Sequence, residues 1–118
     1  MTLDISILRR KTLKSIDVDQ VRDEILFTTT KGEKYIMCHI QDCCEDVTIE
    51  DITGDLDNLI GTPILYAKEI SDEDPNAVPS GTYTFYKLAT VKGWVDIRWY
   101  GESNGYYSES VDFARVRE

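Results

Sequence analysis

A two-residue alternation in residues 94–100 constrains the fold of this chain more than any other feature. Val95, Ile97 and Trp99 are apolar, and the residues between them are polar. Successive side chains of a β-strand point to opposite faces, so this pattern predicts a strand with one face buried and the other in water. We expect Trp99 to face a core and Tyr100 to point outward. Such strands are typical of antiparallel sheets.

Similar reasoning predicts further strands along the chain. Residues 24–30 and 34–40 are rich in β-branched and aromatic side chains, and the Lys31-Gly32 turn between them predicts a β-hairpin. Shorter patterns predict an edge strand at 14–18, strands at 47–52 and 64–70, and a three-stranded meander over 83–91, 94–100 and 106–113. Loops are expected at residues 71–81, which hold two prolines and a glycine, and at 101–105, which two glycines bracket.

One segment has helical spacing. Ile52, Leu56, Leu59 and Ile60 recur at intervals of three to four residues, and Gly61 follows them as a possible C-terminal cap. We therefore predict an α+β fold, with a curved, mainly antiparallel sheet of five to seven strands and one short helix near residues 51–60. The length of 118 residues predicts a single domain over 1–118.

The charge is concentrated in one third of the chain. The formal net charge is −9, while residues 39–79 alone hold eleven acidic residues against Lys68, a local balance of −10. Phosphate contacts need Lys and Arg, so this block argues against direct nucleic-acid binding. The remaining explanations for the acidic block are binding to a basic protein surface, binding of a cation, and solubility.

Two features of the sequence bear on where in the cell the protein is located. No apolar run approaches the roughly 18 residues that could span a bilayer. The N-terminal segment places its basic pair after its apolar residues, which is the reverse of a secretory signal. We expect a cytoplasmic protein without membrane association. The odd count of three cysteines, Cys38, Cys43 and Cys44, then predicts free thiols.

The residues at 39–45 raise the question of metal binding or catalysis. His39, Cys43 and Cys44 are possible zinc ligands, but structural zinc sites use two ligand pairs that lie a dozen or more residues apart. A catalytic cysteine needs a lowered pKa, and the surrounding carboxylates would act in the opposite direction. The oxygen-bearing side chains at 55–58 are of the type that binds calcium, but the twelve-residue calcium-binding loop is missing. We therefore predict no metal, no cofactor and no enzymatic activity.

Two longer motifs carry a resemblance. The first reads HxQDCCExV over residues 39–47 and IEDIxGDL over 49–56. The second reads RWYGESNGYYSE over 98–109, with Phe85-Tyr86-Lys87 before it. Across roughly residues 11–113 the chain resembles a family of short uncharacterised phage and prophage proteins. The resemblance implies an accessory protein in the bacterial host cytoplasm, and genes of this kind often serve host takeover or counter-defence.

The leading hypothesis is that this is a non-enzymatic, phage-encoded protein. It would inhibit or modulate a bacterial host protein that has a basic surface. The acidic block would steer the encounter, and the aromatic loop would supply contact area. The alternatives are a protein that sequesters a nucleotide signal and, third, a small hydrolase or metal-binding protein. The predicted binding residues are Asp42, Glu45, Asp46, Glu50, Asp51, Arg98, Tyr100, Asn104, Tyr106 and Tyr107.

Overall fold

A computed structural model of the protein describes residues 3–21, 23–41 and 44–116. Within these ranges the chain forms eight strands, β1 to β8, and two 3-10 helices, at Ile5–Leu8 and Leu56–Leu59. None of the described helices is long and apolar enough to cross a membrane. In order, the strands are Leu13–Val18, Glu24–Thr29, Lys34–Cys38, Asp46–Thr53, Tyr66–Glu73, Ser80–Thr90, Gly93–Ser103 and Asp112–Val116.

The strands form two four-stranded sheets. The first sheet has the order β1-β2-β3-β8, and the second has the order β4-β7-β6-β5. Neighbouring strands are antiparallel throughout both sheets. The predicted α+β class, with one curved sheet and a short helix, is therefore wrong: the described chain is nearly all β.

The predicted helix near residues 51–60 is a single 3-10 turn. Asp55 caps its start by accepting a hydrogen bond from the backbone of Asp57, and the turn ends at Leu59. Ile60 then bridges Leu13 of β1. The apolar residues with helical spacing belong to different elements. Ile52 lies in the extended β4, and the buried Leu59 lies in the 3-10 turn that follows it.

The hairpin predicted at residues 24–40 is confirmed in the first sheet. Strands β2 and β3 pair from Glu24↔Cys38 to Thr28↔Lys34, and Gly32 adopts a positive φ of 88° in the turn between them. Strand β1 pairs with the other side of β2, which confirms the predicted edge strand. The last strand, β8, pairs with β3.

The second sheet differs from the prediction in its connections. The β6–β7 hairpin is confirmed, with pairs from Ser80↔Ser103 to Thr90↔Gly93. Both strands are longer than predicted, because β7 runs through Gly101 to Ser103 and β6 begins at Ser80. The loop after β5 is accordingly shorter than 71–81. The predicted three-stranded meander is wrong, since the chain leaves β7 and enters the first sheet as β8.

The inward side chains of both sheets form one hydrophobic core. Trp99 is fully buried, as its alternation predicts, and its indole Nε1 donates to Met37 Sδ of the first sheet at 3.3 Å. Phe113 of β8 packs edge-on against Phe27 and stacks on Tyr35. The opposite side of the second sheet thus remains available to solvent.

Candidate functional site

The side of the second sheet that faces away from the core is the candidate site, and we call it the outer face. Strand alternation and register place there the residues between the buried ones of each strand. The central strands β6 and β7 supply Tyr83, Phe85, Lys87, Trp94, Asp96, Arg98, Tyr100 and Glu102. The edge strands supply Asp46, Thr48, Glu50, Asp51 and Thr53 from β4, and Tyr66, Lys68, Ile70 and Asp72 from β5.

Aromatic rings occupy the middle of the outer face. Tyr83 and Tyr100 are opposite each other on β6 and β7, with ring centroids 4.7 Å apart, and Phe85 lies 6.0 Å from Tyr83. At one end of the face, Tyr66 and Trp94 form a second pair at 5.2 Å, and the Trp94 side chain is 56% exposed. Rings in contact with one another and with water offer rigid apolar area to a partner.

The two cations of the central strands are paired with acids. Arg98 Nε lies 2.7 Å from Glu50 Oε1, across the boundary between β7 and β4. Lys87 Nζ lies 3.6 Å from Asp96 Oδ1, and also 6.0 Å from the centroid of the Trp94 ring. Both ion pairs are half-exposed, so each contributes little to stability. They neutralise the centre of the face.

A concave depression of about 290 Å³ lies between these pairs. Its lining combines the apolar side chains of Phe85 and Ile70 with polar and charged groups. The lining residues are Asp51, Thr53, Ile70, Phe85, Lys87, Asp96 and Arg98. A depression of this size can accept a side chain of a protein partner.

The position of Tyr100 is secured by contacts at the sheet's end. Its hydroxyl donates to Asp74 Oδ2 at 2.7 Å, and this hydrogen bond raises the pKa of Tyr100 above its usual range. Gly81 gives the ring its space, because a Cβ there would clash with Tyr100 Oη and lie 2.7 Å from Ala77 Cβ. Tyr100 is thus held in one orientation.

The acidic block is divided between the two edges of the sheet. Asp46, Glu50 and Asp51 lie on β4, and Glu69, Asp72 and Glu73 lie on β5; all six are exposed. On the outer face, β4 contributes all three of its acids, whereas β5 contributes only Asp72, beside Lys68, because Glu69 and Glu73 alternate to the opposite side of the sheet. Of the predicted binding residues, Asp42 lies outside the described residues.

Glu45 departs from the sequence expectation, because it is buried rather than part of an acidic surface. Its Oε2 lies 3.6 Å from His39 Nε2, and the two side chains are 0% and 3% exposed. The other imidazole nitrogen, Nδ1, lies 2.7 Å from the carbonyl oxygen of Ser110, to which it donates. This pair joins the ends of β3 and β4 to the segment before β8.

The possible metal ligands are not assembled into the expected site. Cys38 is a free thiol, while Cys44 is disulfide-bonded, so the prediction of free thiols is wrong for Cys44. Cys43 lies outside the described residues. Within the described chain, three or more candidate ligand atoms come together in one place, the acidic group Asp19, Asp23 and Glu24, and His39 is not part of it.

The predicted aromatic loop lies beyond the outer face. Asn104 Oδ1 accepts a hydrogen bond from the backbone N–H of Tyr106, and the Tyr106 side chain is 90% exposed. Tyr107 is half-buried. Strand β7 separates these residues from Arg98 and Tyr100, because it continues to Ser103 before the chain turns.

Glu109 anchors the segment that follows this loop. Its buried carboxylate accepts hydrogen bonds from Thr82 Oγ1 at 2.7 Å and from Ser103 Oγ at 2.5 Å. Burial alone would raise the pKa of Glu109, but hydrogen bonds from Ser103, Thr82 and Ser80 lower it below its usual value. The carboxylate therefore has a structural role at the end of the second sheet.

The structure thus brings Asp46, Glu50, Asp51, Arg98 and Tyr100 onto one face and separates Glu45, Asn104, Tyr106 and Tyr107 from them. Sequence reasoning missed the contribution of Tyr66, Tyr83, Phe85 and Trp94. Alternation in 83–88 could have placed Tyr83 and Phe85 opposite Tyr86 and Leu88. The proximity of Tyr66 to Trp94 follows only from the register of β5, β6 and β7.

Comparisons with known proteins give a family and no assigned activity. Searches of curated proteins and of solved structures found no match. One family model covers residues 6–113, which includes nearly all of both sheets and the whole outer face. The chain therefore belongs to the family described as Domain of unknown function (DUF7448).

Proposed function

We propose that this chain is a non-enzymatic binding protein that uses the outer face to hold a partner protein with a basic surface. The observation that carries the proposal is the arrangement of this face: aromatic rings on the central strands, with three exposed acids on edge strand β4 and Asp72 on edge strand β5. Protein interfaces combine an apolar, aromatic centre with a polar rim, and aromatic residues supply much of the binding energy.

The area of the face suits a protein partner. Strands β6 and β7 each contain 11 residues. At about 3.3 Å per residue and about 4.8 Å between strands, the face measures roughly 35 Å by 15–20 Å. The resulting area approaches the roughly 800 Å² that each partner contributes to a standard interface.

The charge distribution supports a basic partner. The acids of β4, together with Asp72 of β5, would attract a basic surface and accelerate the encounter, and they would disfavour acidic proteins and nucleic acid. At the centre, the Arg98–Glu50 and Lys87–Asp96 pairs leave the surface close to neutral. A partner would thus meet acids at the rim and rings in the middle.

The alternative functions have less support. A nucleotide would need cations for its phosphates, whereas both cations of the central strands already have carboxylate partners. A Cys/His hydrolase would need an accessible pair, but the His39 side chain is 3% exposed and Cys44 is disulfide-bonded. These observations favour binding over catalysis.

The motif resemblance extends the proposal to a biological setting. The segments at 39–56 and 98–109 resemble phage and prophage proteins, and we place the protein in the cytoplasm of a bacterial host. There it would inhibit or modulate a host protein, with a defence protein as the leading class. Both motifs contribute outer-face residues, namely Glu50 and Asp51 from the first and Arg98 and Tyr100 from the second.

A comparative capture experiment tests the proposal. Tagged protein is incubated with nuclease-treated bacterial lysate, and retained proteins are quantified for the natural chain, Phe85→Ser/Trp94→Ala and Tyr106→Ala. We expect a retained protein of basic surface that is lost with the outer-face variant and kept with Tyr106→Ala. Retention that is unchanged by the outer-face variant but lost with Tyr106→Ala would place the site in the loop and contradict the proposal.

A further inference from the structure

The four edge strands of the two sheets differ in how well they are protected. Strand β1 has a register shift between Leu13 and Ser15, and β4 has one between Ile49 and Asp51. Strand β8 contains five residues. Among the described edges, only β5 is both long, with eight residues, and free of register shifts. Bulges and short length are devices that prevent edge pairing, and β5 has neither.

The backbone of β5 offers a regular row of hydrogen-bonding groups. Asp74 N–H donates to the carbonyl of Gly81, so Asp74 belongs to a hydrogen-bonded pair with β6. Alternation along the continuous β5–β6 register then directs the N–H and C=O groups of every second residue toward the edge away from β6, and the 3-10 helix at Ile5–Leu8 lies near the first residues of β5. These residues are Ala67, Glu69, Ser71 and Glu73.

The side chains of β5 are self-complementary. Residues 68–73 are all exposed, and Ile70 in their centre is 46% exposed. Lys68 lies opposite another cation, Lys87, in its own sheet. Asp72 stands four residues from Lys68 on the same face. On its outer face β5 therefore presents, in order, the cation Lys68, the apolar Ile70 and the acid Asp72.

We propose that β5 pairs with β5 of a second copy of this chain, in an antiparallel register centred on Ile70. In that register Lys68 faces Asp72 of the second copy, Ile70 faces Ile70, and Glu69 faces Ser71. A two-fold axis perpendicular to the sheet keeps both outer faces on the same side. The two second sheets then form one eight-stranded sheet, and the two outer faces become continuous.

Charge selects this register over its neighbours. The two outer faces lie on the same side only if each residue pairs with one of the same strand face, so the register can move only in steps that keep a residue on the two-fold axis. The nearest alternative registers are therefore centred on Glu69 or on Ser71. The first would place Glu69 against Glu69, and the second would place Glu69 against Glu73. Like charges directly opposite each other are unfavourable, whereas the Ile70 register has two Lys–Asp pairs and none of these.

Sedimentation velocity over a concentration series tests the dimer with Lys68→Asp and Asp72→Lys, both at exposed positions. We expect the natural chain to dimerise and each single variant to dissociate at least about tenfold more readily, because like charges then face each other twice. Lys68→Asp/Asp72→Lys should restore the dimer. A 1:1 mixture of the two single variants should form a heterodimer with opposite charges at both positions.

Two results would overturn the proposal. One is a natural chain that stays monomeric at the highest concentration reached. The other is a dimer that both single variants form as tightly as the natural chain. Asp46→Lys, on the opposite edge strand β4, is the matched control and should leave the dimer unchanged. Thermal unfolding of each variant establishes that the charge changes leave the fold intact.

Discussion

The hydroxyl of Tyr100 donates a 2.7 Å hydrogen bond to Asp74 Oδ2, which ties the centre of the outer face to the connection between β5 and β6. The donor is the protonated phenol, and the pKa of Tyr100 is raised above its usual value of 10.0. A raised folded-state pKa means that the contribution to stability is complete below pH 10.0 and is lost as the pH rises above it.

The first prediction concerns this pH dependence. Tyr100→Phe removes the titrating hydroxyl, so its free energy of unfolding should fall less between about pH 9 and about pH 11 than that of the natural chain. Denaturant unfolding at the two pH values measures the difference. Tyr106→Phe is the control, because its side chain is 90% exposed. Equal losses for the natural chain and Tyr100→Phe would show that the hydrogen bond is not formed in solution.

The second prediction concerns Glu109. Glu109→Gln should lower the free energy of unfolding by about 1–3 kcal/mol at neutral pH, because the hydroxyls of Thr82 and Ser103 lose a charged acceptor. The pKa of Glu109 is lowered in the folded state, so its contribution is present above about 4.5 and is lost as the pH falls below that value. The variant should therefore lose less stability on acidification. Glu102→Gln, at an exposed position, should behave as the natural chain does.

The third prediction separates the members of the acidic block. Glu45→Lys should lower the free energy of unfolding by about 3–5 kcal/mol, because it places a cation beside His39 in a buried site. Asp46→Lys and Asp51→Lys should hardly affect stability, since both side chains are exposed. With the captured partner they should slow association and weaken its salt dependence. An unchanged association rate would show that these acids only keep the surface soluble.

The strands were predictable wherever one face is buried and the other is wet. In residues 94–100 the alternation gives both the strand and the inward position of Trp99. The hairpin of β2 and β3 is equally clear, because a turn with glycine separates two β-rich runs. Local pattern determines these elements.

The helix and the meander were not predictable, because long-range contacts determine them. Ile60 belongs to a bridge with Leu13, which lies 47 positions earlier in the chain, and this pairing limits the helical segment to one turn. After Ser103 the chain contains the buried residues Glu109 and Val111 and then enters the first sheet as β8. Local sequence carries no signal for either contact.

The candidate site was predictable in its parts and not in its assembly. The acidic block and the motif around Arg98 and Tyr100 stand out in the sequence, but only sheet order shows that β4 and β5 are the edges that flank β6 and β7. Glu45 illustrates the limit, since nothing local distinguishes it from Asp46, its exposed neighbour. Packing in the folded chain buries Glu45 and leaves Asp46 exposed.

The affinity of the captured partner for three purified chains tests the central claim most directly. These chains are the natural protein, Phe85→Ala and Tyr106→Ala, with titration calorimetry as the measurement and thermal unfolding as the check on folding. The account predicts that Phe85→Ala costs about 1–3 kcal/mol of binding free energy, because Phe85 is the aromatic residue that lines the depression on the outer face. Tyr106→Ala should bind as the natural protein does. Full affinity for Phe85→Ala with a large loss for Tyr106→Ala would contradict the account.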